Sequence, residues 1–229
     1  MKIFLGMALT VMLMTTGAYS ADEVALKTQK DKVSYSMGLN LGNSLMRQPF
    51  EVDVDLFMTG FTDAVKKRKP LMTDQEMRET EIAFQNEMAE KQAQMMKAAA
   101  EKNKKEGEAF LAENKKKEGV KVLPSGLQYK VIKDGTGAIP KATDSATVNY
   151  KGTLINGTEF DSSYKRGQPA TFQVNGVIKG WTEALQLMKA GSKWQLFVPS
   201  DLAYGEKGAG PQIGPNAVLI FEVELLSIK

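Results

Sequence analysis

The chain has 229 residues, of which 42% are hydrophobic and 25% are charged, a composition typical of a globular protein rather than of a disordered or collagen-like chain. Its 30 basic and 27 acidic residues give a formal net charge of +3, which is too balanced to indicate a nucleic-acid surface. Histidine and cysteine are both absent, which excludes Ser-His and Cys-His nucleophile pairs, thiol redox chemistry, disulfides, and zinc sites built on those side chains.

The amino terminus has the pattern of a cleaved secretory signal. One basic residue precedes an apolar run over residues 3–14, which is too short to span a bilayer. Ala18 and Ser20 then place small side chains at positions −3 and −1 of a cut before Ala21. We therefore predict a signal peptide over residues 1–20 and an exported, periplasmic protein, with outer-membrane or cell-surface association left open. A buried amphipathic helix is the alternative.

Residues 21–71 show the periodicity of helices. An apolar row and a row of small residues each recur at every fourth position: Val33, Met37, Leu41 and Leu45, beside Ser34, Gly38 and Gly42. A second helix is predicted after Asp53 or Asp55, ending at the basic run 66–69. Two short helices make a poor core by themselves, so a second copy of the chain could supply what is missing.

Methionine is concentrated in the same part of the chain. Of the nine methionines after residue 20, eight lie before residue 97. This adaptable side chain suits either a dimer core or a groove for varied clients. We predict a homodimer through residues 22–96 and a helical dimerisation domain over residues 21–71, with client binding as the alternative.

Residues 72–119 predict one long connecting helix. Thr73 with Glu76 forms a capping box, no proline follows until Pro124, and Gly119 is a candidate C-cap, which gives a helix of about 45 residues. Between residues 97 and 108 only alanine and Gly107 interrupt charged and amide side chains. We therefore expect this stretch to stand in solvent as a spacer. A disordered charged linker with a weak point at Gly107 is the alternative.

The region 120–229 has the signals of an antiparallel sheet. Three turn-forming pairs separate runs with strand periodicity: Asp134 with Gly135, Asn156 with Gly157, and Asn175 with Gly176. Apolar residues alternate over residues 147–154, 194–198 and 219–225. Trp181, Leu185 and Met188 have the spacing of one short helix. The predicted fold is α+β: an all-helical amino-terminal region, a long spacer helix, and a carboxyl-terminal antiparallel sheet wrapped on one short helix.

The candidate functional residues of this region are mostly aromatic and aliphatic. They come from separate strands and loops: Tyr150, Phe160, Phe172, Val177, Ile178, Trp181, Tyr204, Ile213 and Phe221. Asp161 and Arg166 are the few charges among them. By composition alone this set fits a hydrophobic core or a binding pocket, and both interpretations stay open here.

Several separated motifs in this region resemble the FKBP-type peptidyl-prolyl cis/trans isomerase domain. They are "VNYKGTLINGTEFDSSYKRGQPATF", "VIKGW", "MKAGSKW", "VPSDLAYGEKGAG" and "IGPNAVLIFEVELLSI", in matching order and spacing, and the resemblance extends over about residues 120–229. Upstream, "VSYSMGLNLGNSL" and the long charged helix are similar to the macrophage infectivity potentiator (Mip) group of exported, dimeric bacterial FKBPs.

The resemblance implies a role for each candidate residue. Trp181 would form the floor of a prolyl pocket. Its walls and catalytic neighbours would be Tyr150, Phe160, Asp161, Ile178, Tyr204 and Phe221, and further substrate-binding positions would be Arg166, Phe172, Val177 and Ile213. The backbone N–H of Ile178 and the hydroxyl of Tyr204 would bind substrate carbonyls. Ala170, Ala209 and Gln212 depart from the larger or apolar groups that many FKBPs carry there, which leaves inhibitor affinity open.

The implied activity is isomerisation of X-Pro bonds in unfolded or folding proteins, with no cofactor and no nucleic-acid partner. Macrolide inhibitors of the FKBP class are implied ligands. Asp161 is expected to tune the pocket by a polar contact, and an ordinary ion pair with Arg166 is the rival interpretation. The alternative function is a holding chaperone with a weakly active pocket.

Overall fold

A computed structural model of the protein describes residues 25–229; the predicted signal peptide lies outside the described residues. The chain divides into two units, the first ending at Gln75 and the second beginning at Glu76. No helix of the described part is both long enough and apolar enough to cross a membrane.

The first unit contains two helices. The helix α1 spans Gln29–Leu45 and begins with a capping box, in which the Asp31 backbone N–H donates to Thr28 Oγ1 (3.1 Å) and the Thr28 N–H donates to Asp31 Oδ2 (2.8 Å). The helix α2 spans Val54–Val65 and is capped by Asp53, one of the two predicted positions. Within the described chain, neither helix buries a single residue.

The helix α3 spans Asp74–Asn114, which confirms the single long helix but ends it short of Gly119. Asn114 is fully buried, and its side-chain amide donates to Gln128 Oε1 (3.0 Å). The amide of Gln128 in turn donates to the carbonyl of Leu111 (2.9 Å) in the last helical turn. This exchange of amides with the sheet stabilises the helix end, so Gly119, at φ 77°, serves the following turn instead.

The prediction that residues 97–108 stand in solvent is wrong. A stripe at helical spacing is buried or half-buried within the second unit: Ala100, Asn103, Gly107, Leu111 and Asn114. Gly107 lies so close to Val218 that an added Cβ would come within 2.6 Å of its Cγ2 atom. The expected weak point is therefore a site of close packing, and the helix runs through it without a break.

Seven strands form one antiparallel sheet. Their bounds are β1 Val120–Val122, β2 Gln128–Lys133, β3 Ser145–Leu154, β4 Glu159–Ser162, β5 Ala170–Gln173, β6 Lys193–Val198 and β7 Leu219–Ile228. The strand order is β1-β2-β6-β7-β3-β4, and β5 pairs with the other end of β3. The sheet confirms the predicted α+β fold.

The core lies between this sheet and the short helix α4, Lys179–Leu185. Trp181, Leu185 and Met188 are buried, as their spacing predicted. On β7, alternate residues from Leu219 to Leu225 are buried on one face, as expected for a strand with one face on the core. The sheet and α4 thus bring together residues far apart in the chain, among them most of the candidate site.

Candidate functional site

Five aromatic side chains, which we call the aromatic cluster, meet around α4: Tyr150, Phe160, Phe172, Trp181 and Phe221. The indole of Trp181 is the centre, and three rings stand nearly perpendicular to it. The centroid distances from the indole are 5.2 Å to Tyr150, 5.9 Å to Phe172 and 5.2 Å to Phe221. Phe160 extends the cluster by an edge contact with Phe221 at 5.5 Å. Such edge-to-face pairs are a favourable arrangement of aromatic rings.

The secondary structure explains why these rings can meet. Tyr150 lies on β3, Phe221 on the neighbouring β7, and Phe160 on β4 across the other edge of β3. At Gly152 on β3 an added Cβ would lie 2.6 Å from the Phe160 ring and 2.8 Å from the Phe221 ring. Glycine in the strand interior therefore makes room for both phenyl rings.

The side chains of the aromatic cluster differ in solvent exposure. Trp181 is 3% exposed, and Tyr150 and Phe221 are each 5% exposed, so these three belong to the hydrophobic core. Phe160 and Phe172 pack against that core but are only half-buried. The core interpretation is thus correct for Trp181, Tyr150 and Phe221, whereas a binding pocket over Phe160 and Phe172 stays a prediction.

Two donors of the predicted site, one from the backbone and one from a side chain, have no acceptor among the described residues. Ile178 is the N-cap of α4 and accepts from the N–H groups of Trp181 and Thr182 through its carbonyl. Its own N–H donates to no acceptor in residues 25–229. Val177 and Ile178 are half-buried, and Tyr204 is 43% exposed with its hydroxyl unpaired in the same described range. The indole N–H of Trp181 is also a buried donor without an acceptor in this part of the chain.

The charged members of the predicted site form a closed network with Tyr150. The Tyr150 hydroxyl donates to Asp161 Oδ2 (2.5 Å) and accepts from Arg166 Nη2 (2.7 Å), while Arg166 Nη1 bonds Asp161 Oδ1. The guanidinium carbon of Arg166 lies 5.3 Å from the centre of the Tyr150 ring, within range of a cation-π contact. The contact between Asp161 and Arg166 is therefore an ion pair, as the rival interpretation holds, and it also fixes the phenol.

The network shifts the pKa values of all three of its members, and the hydrogen bonds to Tyr150 and Asp161 raise the pKa of the Arg166 guanidinium. Burial, with the hydrogen bond to Asp161, raises the pKa of the Tyr150 hydroxyl above its usual value. Partial burial alone would raise the pKa of the Asp161 carboxyl, but the hydrogen bonds from Tyr150 and Arg166 outweigh it and hold that pKa below its usual value. Near neutral pH, Tyr150 is accordingly protonated and Asp161 is ionised.

Ser163 is a supporting residue that sequence analysis did not single out. It is fully buried, and its hydroxyl accepts from the Tyr150 backbone N–H (2.9 Å), while its own N–H donates to the Tyr150 carbonyl (3.0 Å). These bonds hold β3 at the point where its pairing with β4 ends. Ser163 lies within the quoted motif after Asp161, and its position beside that carboxylate was the available signal.

Ile213 and Tyr204 belong to the loop between β6 and β7. Ile213 is buried in the core, and it pairs with Ala209 through two backbone hydrogen bonds of 2.8 and 3.2 Å. Gln212, one of the noted departures, is exposed at the tip of this pairing, and Ala170 is half-buried at the start of β5. The structure thus places the five residues of the aromatic cluster together with Val177 and Ile178 packed on the same core, while Tyr204 is an exposed residue of the loop.

Two family profiles match the chain. Residues 30–131 match the domain amino-terminal to FKBP-type peptidyl-prolyl isomerase, and residues 137–226 match the FKBP-type peptidyl-prolyl cis-trans isomerase domain. Together they span most of both units.

Curated relatives and a solved structure are similar over nearly the whole chain. The outer membrane protein MIP of Legionella longbeachae is 48% identical over 97% of this chain and 95% of the relative. The peptidyl-prolyl cis-trans isomerase Mip of Coxiella burnetii is 52% identical over 95% and 94%. The crystal structure of FkpA from Escherichia coli, at 40% identity, covers 90% of this chain and 99% of its own, with a TM-score of 0.70.

Proposed function

The chain belongs to the FKBP-type peptidyl-prolyl cis-trans isomerases, and we propose that it accelerates rotation about X-Pro bonds by holding the prolyl ring on the aromatic cluster. Its substrates are unfolded or folding proteins whose folding waits on slow prolyl isomerisation. FKBP-class macrolides are expected to compete for the same surface. The observation that carries this proposal is the indole of Trp181, ringed by nearly perpendicular aromatic side chains in a cluster that is buried at its centre and half-buried at Phe160 and Phe172.

The physical basis is removal of water from the imide. Resonance gives the X-Pro bond partial double-bond character, and the barrier to rotation is about 18–20 kcal/mol. The planar ground state is charge-separated, whereas the twisted transition state has lost that separation. An apolar surface therefore disfavours the ground state more than the transition state, and the barrier falls without proton transfer.

The polar groups at the edge would hold the substrate backbone. The unpaired N–H of Ile178 and the unpaired hydroxyl of Tyr204 can each donate to a carbonyl beside the proline. Asp161, already paired with Tyr150 and Arg166, would act by fixing the Tyr150 ring and the local field. In this mechanism no side chain needs to titrate.

The two tryptophans of the chain provide a matched test. Trp181 lies in the aromatic cluster, whereas Trp194 is stacked on Tyr129 at 4.3 Å on another part of the sheet, and both are buried. We expect Trp181→Leu to lower kcat/KM on a prolyl tetrapeptide by about tenfold or more, equivalent to at least ~1.4 kcal/mol of transition-state stabilisation. Trp194→Leu should destabilise the protein comparably but retain most of the activity.

The assay is NMR exchange or protease-coupled isomerisation, with thermal unfolding of each variant measured alongside. Equal loss of activity in the two variants, following their stability, would contradict a specific role for the aromatic cluster. Isomerisation by Trp181→Leu at the parent rate would contradict the mechanism outright.

Export and dimerisation form part of the proposal. We propose that residues 1–20 are a signal peptide, residues 21–71 a dimerisation domain, residues 72–119 a connecting helix and residues 120–229 the isomerase domain. The name of the Legionella longbeachae relative supports a location beyond the cytoplasm. A homodimer through residues 22–96 is supported by the lack of any buried residue in α1 and α2, since helices of this length need tertiary packing to be stable.

Holding of unfolded clients is the second candidate function. It is favoured by large apolar side chains that the single chain leaves exposed, such as Met37, Met46 and Leu56. Sedimentation of the mature chain tests the dimer, and a monomer at micromolar concentration would refute it. If Leu56→Glu abolishes suppression of aggregation but not isomerisation of a short peptide, then holding resides in the first unit and catalysis does not.

A further inference from the structure

The carboxyl-terminal half of α3 contacts the segment that follows the substrate loop. We define the substrate loop as residues 204–213, from Tyr204 to Ile213. The side-chain amide of Asn103 on α3 donates to the carbonyl of Pro215 (2.8 Å), 112 positions away in the chain. At the next residue of this segment, the Asn216 side-chain amide donates to the Ala100 carbonyl of α3 (3.5 Å). The helix is thus bonded to the base of the loop from both directions.

The same base closes the substrate loop on itself. The Asn216 backbone N–H donates to the carbonyl of Gly205 (2.8 Å), directly after Tyr204. Asn216 adopts φ 55°, the left-handed conformation that asparagine tolerates better than most residues. The loop therefore begins and ends at one closure, and this closure is where Asn103 and Ala100 attach.

Within the loop, Ile213 is buried in the core and exchanges two backbone hydrogen bonds with Ala209, so the loop is held at its far end as well as at its base. Gly208 and Gly210 have φ of 64° and 56°, and an added Cβ at Gly208 would come within 2.2 Å of the Ile213 carbonyl oxygen. A cavity of about 380 Å³ lies between α3 and the loop, lined by residues that include Ala100, Glu206 and Asn216. Pro215 and Ala100, the acceptors of the Asn103 and Asn216 amides, also line this cavity, so the two hydrogen bonds connect α3 to the base of the loop beside it.

We infer that Asn103 is a positioning residue for isomerisation, which fixes the substrate loop through the Pro215 carbonyl and thereby places Tyr204 and Ile213 beside the aromatic cluster. The catalytic unit accordingly begins on α3, near Ala100, rather than at residue 120. This inference rests on the proposed function, because it assigns a consequence to the loop only if the loop binds substrate.

The test compares two identical substitutions on the same helix in the full chain. Asn103→Ala removes the donor to Pro215, whereas Asn86→Ala changes an exposed asparagine of α3 and gains the same helix propensity. We expect Asn103→Ala to lower kcat/KM on a prolyl tetrapeptide by about two- to tenfold, the range for one lost hydrogen bond. Asn86→Ala should match the parent.

Amide NMR separates positioning from general loss of stability. In Asn103→Ala the amides of Gly208, Ala209 and Ile213 should shift or broaden, while those of the core residues Leu196 and Val223 should not. An Asn103→Ala protein with parental activity and parental loop amides would overturn the inference. So would a loss of activity in which core amides change as much as loop amides.

A second variant changes the same contact at Gly214, directly after the substrate loop. An added Cβ at Gly214 would lie 3.0 Å from the Asn103 amide nitrogen, so Gly214→Ala should disturb the same hydrogen bond. Its effect on kcat/KM should largely vanish in the Asn103→Ala background, and additive effects of the two substitutions would contradict the inference. If the parent itself failed to isomerise prolyl peptides, the proposed function would fail, while the loop amides would still decide whether Asn103 holds the loop.

Discussion

The helices α1 and α2 and the sheet unit differ in how far their apolar side chains are buried. Among the residues that the structure describes, none in α1 or α2 is buried, and Met37 and Leu56 are more than half exposed. In the second unit a single cluster encloses residues of β3, β6, β7 and α4, many of them fully buried. The second unit therefore has its own core, whereas the first depends on contacts that the single chain does not supply.

The space around the glycines also differs between the two units. On α1, nothing lies within 4 Å of an added Cβ at Gly38 or Gly42. On α3, the corresponding Cβ at Gly107 would collide with Val218, and on β3 the one at Gly152 would collide with two phenyl rings. In the second unit, these glycines are therefore required by close packing. In the first unit, among the described residues of a single chain, Gly38 and Gly42 only lower the helix propensity.

The largest expected effect comes from a matched pair of leucines. Leu196 is 1% exposed, so Leu196→Ala should lower the free energy of unfolding by about 2–5 kcal/mol. Leu56→Ala, at a largely exposed position, should cost less than about 0.5–1 kcal/mol in dilute solution. Urea unfolding followed by circular dichroism measures both.

An equal loss of unfolding free energy in the two leucine variants in dilute solution would contradict this difference between the units, because it would require a core in the first unit. A cost for Leu56→Ala that grows with protein concentration would sharpen it, since the missing contacts would then come from a second copy.

The next effect concerns Gly107. Alanine favours a helix over glycine by about 1 kcal/mol, but overpacking typically costs about 1–3 kcal/mol. Because Val218 is buried and close, we expect Gly107→Ala to lower the melting temperature despite the better helix propensity. A stabilised Gly107→Ala variant would show that α3 is not held against the sheet unit.

Gly38→Ala is the counterpart in the first unit. Because no atom of residues 25–229 lies within 4 Å of the added Cβ, alanine should stabilise α1 by up to about 1 kcal/mol, visible as increased helicity of the monomer. If a second copy packs closely on this row, the dimer dissociation constant should rise at the same time. Sedimentation measures it, and an unchanged constant would remove Gly38 from the proposed interface.

The smallest expected effect is that of pH on catalysis. The lowered pKa of Asp161 keeps its carboxylate ionised above its usual pKa of about 3.9, so the network with Tyr150 is present at neutral pH and is lost only as pH falls through that lowered pKa. We expect kcat/KM to be flat from about pH 5 to 8. Asp161→Asn should lower kcat/KM by about two- to tenfold without adding a titration step.

A titration between those pH values that disappears in Asp161→Asn would indicate acid-base catalysis. It would also contradict catalysis by shape and desolvation alone in the sheet unit.

Local patterns in the sequence predicted much of this molecule because they reflect local physics. Strand alternation placed Leu219 to Leu225 on one buried face, and the spacing of Trp181 and Leu185 predicted α4. These signals are strong because large apolar side chains recur with the period of the element that buries them. The resemblance of the motifs predicted that the aromatic site residues lie close together, and in the structure five of them form the aromatic cluster.

Other features were decided by contacts between distant residues. The buried stripe on α3 consists largely of alanine, asparagine and glycine, side chains that carry no hydropathy signal, and its partners lie about 110 positions later. The end of α3 was set by the exchange of amides between Asn114 and Gln128 rather than by Gly119. Ser163 supports Tyr150 only because β4 ends beside it. Periodicity reveals which side chains avoid water, but small and polar side chains acquire their burial from a partner surface, which exists only once the chain has folded.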